Sequence, residues 1–276
     1  MLRAVCTALA AALTCEAILE NTVWLRTRTY ETDFPGLPRI LVVSDLHRRH
    51  FGRGQCRLIR QCAAAKPELI AVTGDLVSRT VRDFRETEQL LRALRRLAPV
   101  VLIFGNHETD LPPACQRQFR ALCRRCGVTL LGNAHTEICG VHIAGLSLPR
   151  SFYRGGGLFG FTGAEDCTAE TLRSLLGSCP PGTLLLAHNP LFFPAYAEWG
   201  ARLTLSGHIH GGAVRLPGIG GLLSPERRFL PQYDRGQFRL GNAEMIVSGG
   251  LGKLRLFNPP ELCILTPQNP PGSNNR

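Results

Sequence analysis

The stretch RILVVSDLH, Arg39 to His47, joins a run of apolar, mostly β-branched residues to a polar end in which Asp45 and His47 stand two apart. A short apolar run of this kind signals a strand buried on both faces. Residues i and i+2 of an extended segment point to the same side, so both metal-capable side chains can face one point. The arrangement then recurs along the chain. ELIAVTGDLV ends its apolar run at Gly74-Asp75, VVLIFGNHE at Gly105-Asn106-His107-Glu108, TLLLAHNP at His188-Asn189-Pro190, and LTLSGHIHGG at His208-x-His210 between glycines.

Open α/β sheets bind their ligands at the carboxyl ends of strands. Five such ends deliver Asp45, His47, Asp75, Asn106, His107, His188, His208 and His210 to one rim. The chain has eight histidines, and five occupy these positions, leaving His50, His135 and His142 elsewhere. Any one of these residues alone reads equally well as a cap or a surface histidine. Together they read as a site with convergent polar groups. Between the runs lie helical patterns, CRLIRQCAAA, DFRETEQLLRALRRLA, CQRQFRALCRRC and AEDCTAETLRSLLG, and strand–helix alternation implies βαβ units. EICGVHIAGL reads as a hairpin, and EMIVSG and LCILT as short strands of a second sheet. The expectation is an α/β fold of one domain, a sandwich of two mixed β-sheets flanked by helices, over residues 21–266. The tail 267–276, PQNPPGSNNR, reads as disordered.

The ordered set Asp45-x-His47, Gly74-Asp75, Gly105-Asn106-His107-Glu108, His188 and Gly207-His208-x-His210 resembles the calcineurin-like metallophosphoesterase superfamily, from about Pro38 to Leu265. The later stretches GGAVRLPGIGGLLSPERRFLPQYDRGQF, VSGGLG and LRLFNPPEL resemble its bacterial, membrane-anchored branch, which includes enzymes similar to UDP-diacylglucosamine hydrolases. The resemblance implies two divalent ions, Mn, Fe or Zn. One would be held by Asp45, His47, Asp75 and His210, the other by Asp75, Asn106, His188 and His208, with Asp75 bridging. It further implies attack on phosphorus by a metal-bound hydroxide, with His107 protonating or stabilising the leaving oxygen. Catalysis would thus rest on His107 and Asp75. Arg150, Arg154 and Glu108 are the candidates for substrate contact, Glu108 with the alternative of bonding a ligand residue. Some positions depart from the family pattern. Ser78 stands where many relatives carry an Asp, the Asp-Arg-Gly signature of serine/threonine protein phosphatases is missing, Gly145 to Pro149 lacks an acidic pair, and Ile209 replaces a threonine.

A formal charge of +11, from 32 basic and 21 acidic residues, favours anionic company such as phosphorylated substrates or acidic lipid. The basic residues are scattered rather than interleaved with aromatics in one patch, so no nucleic-acid partner is expected. The glycine-rich LPRSFYRGGGLFGF, carrying Arg150 and Arg154, reads either as a loop over the site or as an ordinary connection. The stretches Ser147–Gly163, Leu191–Trp199 and Arg215–Asp234 are expected as loops walling the pocket. Eleven cysteines form no regular framework, and Cys123-x-x-Cys126 lacks a partner pair, so buried thiols are expected. The opening MLRAVCTALAAALTCEAIL, residues 1–20 as a unit, reads as a signal anchor, with a cleaved signal peptide and an amphipathic helix packed on the domain as alternatives.

Two functions fit. The first is a membrane-associated, monomeric two-metal phosphoesterase acting on a phosphomonoester, phosphodiester or pyrophosphate bond of a phosphorylated small molecule or lipid precursor. The second is a catalytically silent scaffold of the same fold at the membrane or cell envelope. The filled ligand positions and His107 favour the enzyme.

Overall fold

The computed structural model describes residues 1–153, 165–216, 218–223 and 229–268. After helix α1 (Leu2–Thr22) come β1 (Arg26–Thr32), β2 (Ile40–Val43), α2 (Cys56–Ala64), β3 (Leu69–Val72), α3 (Arg85–Leu97) and β4 (Val100–Ile103). The short α4 (Asn106–Thr109) leads to α5 (Pro113–Arg125), β5 (Thr129–Leu131) and the hairpin β6 (Ala134–Ile138) and β7 (Val141–Leu146). Then follow α6 (Ala169–Leu176), β8 (Leu184–Ala187), α7 (Phe193–Trp199) and β9 (Leu203–Ser206). A ribbon of β10 (Arg215–Leu216) and β11 (Gly220–Gly221) precedes β12 (Gly236–Leu240), β13 (Ala243–Val247) and β14 (Glu261–Pro267).

Two six-stranded sheets result, ordered β1-β14-β2-β3-β4-β5 and β12-β13-β9-β8-β7-β6. Strands β2, β3 and β4 run parallel, as do β8, β9 and β13, while β14 enters antiparallel to β2 and parallel to β1. Alternation along each buried strand explains the layers. Ile40 and Val42 turn toward the second sheet and meet Leu184, Leu186, Leu203 and Leu205. Their neighbours Leu41 and Val43 turn outward onto α2, α3 and α5 through Leu58, Leu94 and Phe119. On the far side Leu185 and Ala187 pack beneath Leu172 of α6 and Tyr196 of α7. Every residue of β2, β3, β4, β8 and β9 is therefore buried, and each fully buried Leu, Ile or Val contributes about 1.5–3 kcal/mol. The expected sandwich of two mixed sheets flanked by helices is what forms.

Two local expectations are corrected. Leu191–Trp199, expected as a loop, is a 3₁₀ turn running into α7; Pro190 and Pro194 sit in first turns, where a missing N–H costs nothing. Helix α6 begins only at Ala169, because Thr168 caps it by accepting the Thr171 N–H. The N-terminal apolar segment is one helix through Thr22, long and apolar enough over Arg3–Thr22 to cross a membrane.

Candidate metal centre

The site lies where the carboxyl ends of both sheets meet: β2, β3 and β4 from one, β8 and β9 from the other. The expected single sheet edge is thus a seam between two. The expected extended geometry is also corrected. Asp45, His47, Asp75, His208 and His210 all have positive φ, between 51° and 70°, so each pair is turned through the left-handed region rather than continuing the strand. Such backbone is costly for residues with a Cβ and persists only where surrounding contacts impose it. Those contacts are visible. The Asp45 N–H donates to Gly74 O (3.2 Å) and the His47 N–H to Asp75 O (3.0 Å), tying the turn after β2 to the turn after β3. The His208 N–H donates to the Asp45 carboxylate (3.1 Å), joining the two sheets, and the His107 N–H donates to Asp75 Oδ1 (2.8 Å). Glycine is required in between. A Cβ at Gly74 would stand 2.6 Å from Gly105 N and 2.8 Å from His188 Nδ1, and Gly74 itself has φ +99°.

These turns gather two clusters of donor atoms, Asp45/His47/His210 and Asp75/His188/His208, with His47, Asp75 and His107 forming a third group between them. Each group's ligand atoms lie within 4.8 Å of one another. Asp45 and Asp75 are both buried, and among the described residues their only ion-pair partners are histidines. Burial opposes ionisation of Asp75, yet His188 and the other imidazoles beside it hold its carboxyl well below the usual range. His188 answers in kind: burial opposes its charge, but Asp75 and Asp45 lift it to about 9. Its Nδ1 donates to Thr73 O (2.7 Å), which fixes the ring and leaves Nε2 toward the cluster. His210 is pushed down to about 3, chiefly by burial.

The donor set fits divalent cations. One arm of the Asn106 amide lies 3.0 Å from His208 Nδ1, 3.2 Å from His188 Nε2 and 3.3 Å from Asp75 Oδ2; as an NH₂ it donates to these atoms, and as an oxygen it joins them as a ligand atom. His47 Nε2 and His210 Nε2 likewise face each other at 3.3 Å. Lone pairs converging in this way repel unless a cation lies among them, a proton is shared, or the amide turns over. Mixed imidazole, carboxylate and amide oxygen suit first-row divalent ions and leave the choice among them open.

Around this centre the remaining candidates divide. His107 stands beside the clusters, its Nδ1 accepting the Arg79 N–H at 3.3 Å, which places the ring proton on Nε2. Burial pushes it down to about 4, so the ring is neutral near pH 7 and its Nε2–H is a hydrogen-bond donor. Glu108, expected among the substrate contacts, is instead fully buried and turned inward, accepting from the N–H groups of Asp75, Gly105 and Val77 at 2.8–2.9 Å. Burial and the Asp75 charge push it up to about 7. Arg150 is half exposed and pairs with Asp110 (3.3 Å). Arg154 lies outside the described residues. Cys123 and Cys126 are buried thiols at the end of α5.

Sequence reasoning passed over four residues. Arg79, in the GDLVSRT stretch, bonds Asp110 at 3.0 Å and brings its guanidinium to the Asn106 amide. Asp110 thereby links Arg79 and Arg150 at the rim. Arg255 and Asn258, inside LRLFNPPEL, both donate to the carbonyl of His210 and so pin its turn from below. The only signal for these two was their place in a stretch already noted for its resemblance.

Comparison with known proteins agrees with this geometry. The sequence profile described as calcineurin-like phosphoesterase matches residues 38–212. The phosphodiesterase YaeI of Escherichia coli is 28% identical, over 82% of this chain and 81% of its own. The metallophosphoesterase YkuE of Bacillus subtilis is 27% identical, over 73% and 68%. The UDP-2,3-diacylglucosamine pyrophosphatase LpxG of Chlamydia muridarum is 22% identical, over 82% of each chain.

Proposed function

The chain belongs to the calcineurin-like phosphoesterase family and is a metal-dependent phosphoric ester hydrolase, and from that premise we propose a two-metal enzyme that cleaves a phosphodiester or pyrophosphate bond in a membrane-linked phosphorylated compound. The observation that carries the reading is the gathering of histidine nitrogens around two buried carboxylates, Asp45 and Asp75, with the Asn106 side chain beside Asp75. Asp45, His47, Asp75 and His210 would hold one ion, and Asp75, Asn106, His188 and His208 the other. When bound, two such ions supply Lewis acidity toward phosphoryl oxygens and lower the pKa of water near neutral pH.

The chain's own groups do the rest. His107 presents Nε2–H to the leaving oxygen, its tautomer set by the Arg79 N–H. Arg79 and Arg150, aligned by Asp110, bind the non-bridging oxygens of the ester. Glu108 holds the turns of Asp75 and Gly105 in register. The N-terminal helix, in the role of an uncleaved anchor, supports membrane association, and the likeness to LpxG supports a lipid-linked substrate. The enzyme acts as a monomer without nucleic acid. All eight strand-end positions are filled, which disfavours a silent scaffold.

The test is metal content and turnover of the full chain in detergent, with Mn, Fe or Zn, on bis-p-nitrophenyl and mono-p-nitrophenyl phosphate. Two ions per chain are expected, and His107→Ala should retain both while lowering kcat by about 10²–10⁴. Full activity in that variant, or no tightly bound metal after reconstitution, would sink the proposal.

A further inference from the structure

Among the described residues, the exposed large apolar side chains are not spread evenly over the surface. Apart from Leu240 they lie on α1 and its end, on the segment bearing Ile219, Leu223, Phe229 and Leu230, and on the loop bearing Leu254 and Phe257. The last two segments are laced side by side: Leu256 N–H donates to Ala213 O, Arg215 N–H to Leu256 O, and Ala213 N–H to Leu223 O. Ile219, Leu230 and Phe257 line one groove. Three of these residues also hold unusual backbone. Leu230, Leu254 and Phe257 have φ of 50°, 64° and 58°, in the left-handed region that large side chains avoid. Folding does not reward that strain with burial, since Leu254 is 84% exposed.

The same face is fastened to α1 without a free linker. Arg49 Nη2 donates to Glu20 O (2.6 Å), while Asn21 exchanges hydrogen bonds with the Arg255 backbone at 2.8 and 3.2 Å. Trp24 follows directly, with Arg26 over its ring, an aromatic–basic pair of the kind found at membrane interfaces. At about 1.5 Å per residue the helix measures roughly 31 Å, close to the hydrocarbon thickness of a bilayer. Wherever α1 enters a membrane, this face is brought to the surface beside it. Between the face and the metal centre lies a cavity of about 360 Å³. Among the described residues its lining includes His47 and His210 of the metal centre, Leu254 of the face, and the basic Arg48, Arg49 and Lys253.

We propose that the face made by Ile219, Leu223, Phe229 and Leu230 with the Leu254–Phe257 loop docks on a bilayer of anionic lipid, holding the mouth of the metal centre at headgroup level so that substrate is taken from the membrane surface. This rests on the reading of α1 as a membrane anchor. The apolar residues enter the interface, and the exposed Arg48 and Lys253 meet the anionic headgroups.

The test uses the full chain in nanodiscs of phosphatidylglycerol and phosphatidylcholine whose acyl chains carry bromine, which quenches tryptophan on contact. Phe229→Trp and Phe257→Trp each add an emitter on the face. Leu240→Trp adds one at the end of β12 that pairs with Ala243, the far end of the sheet from the site. Acyl-chain quenching is expected to be at least about threefold stronger for the first two than for Leu240→Trp, as befits side chains buried several ångströms into the interface. Equal or absent quenching overturns the docking face. So does a dimeric mass in the nanodisc with the emission of both face variants shielded, which would mean that a second copy covers the surface. Turnover of bis-p-nitrophenyl phosphate by the same samples separates the two claims: intact turnover with unquenched face variants sinks the docking alone, whereas failure of turnover in the parent sinks the proposed function.

Discussion

Replacing Gly105 by Ala isolates the steric demand of the metal centre. Gly105 has φ −92° and ψ −172°, ordinary extended backbone, so the added methyl brings no conformational strain of its own. It would, however, lie 2.3 Å from Asp75 Oδ1, 2.7 Å from Asp75 N and 2.9 Å from Asp75 Cγ. Ordinary contact begins near 3.4 Å, so the Asp75 carboxylate must retreat by about 1 Å. Overpacking of this kind costs about 1–3 kcal/mol, which for a domain of this size lowers Tm by roughly 3–10 °C and leaves it folded. A displacement of about 1 Å at a reacting centre costs on the order of 10² in rate. The expected variant is folded, loses about 100-fold in kcat on bis-p-nitrophenyl phosphate, and binds fewer than two ions by elemental analysis. A Gly105→Ala protein with kcat within about twofold of the parent and both ions retained would refute the placement of Asp75, since no contact-preserving rearrangement of about 1 Å is compatible with that rate.

Three further outcomes are expected. His188 sits at about 9 in the metal-free fold, above its ordinary 6.5, so its proton stabilises that fold below about 6.5 and the contribution is lost as pH rises through 9. Metal must displace this proton; affinity should therefore climb by up to about tenfold per pH unit between those values, and calorimetry in buffers of different ionisation enthalpy at pH 7.5 should show proton release, whose absence would contradict the assignment. Glu108→Gln turns an amide NH₂ toward backbone donors that the carboxylate accepts, so stability should fall by about 1–3 kcal/mol in thermal or denaturant melts. Arg79→Ala removes a guanidinium from the rim, so KM for the diester should rise about tenfold with kcat changed less, whereas unchanged KM would exclude substrate contact.

The strands and most of the centre were legible because the ligands are written into the sequence beside the elements that carry them. Each buried run ends within four residues of its Asp, Asn or His, and the parallel strands then align those ends without further instruction. Local pattern misled where backbone conformation is set from afar. Asp45-x-His47 and His208-x-His210 read as extended pairs, but bonds to Gly74, Asp75 and Asp45 on other turns force them left-handed. The role of Glu108 was hidden because its partners, Asp75 and Val77, lie some thirty positions upstream. Arg79 carried no pattern at all, since only the fold brings Asp110 to it. Pro190 and Pro194 argued against the helix whose first turns they occupy.

The strand order carries a consequence for how the protein is made. Because β14 lies between β1 and β2, the first sheet keeps a gap until Glu261–Pro267 has left the ribosome. Domains otherwise begin to fold from their N-terminal end during synthesis. Here β2, β3 and β4 can assemble early, yet β1, next to the helix α1, pairs among the described residues with β14 alone. A ribosome stalled anywhere before residue 261 would hold a chain with an open sheet edge and, beyond His210, a full set of metal-binding side chains not yet locked in place.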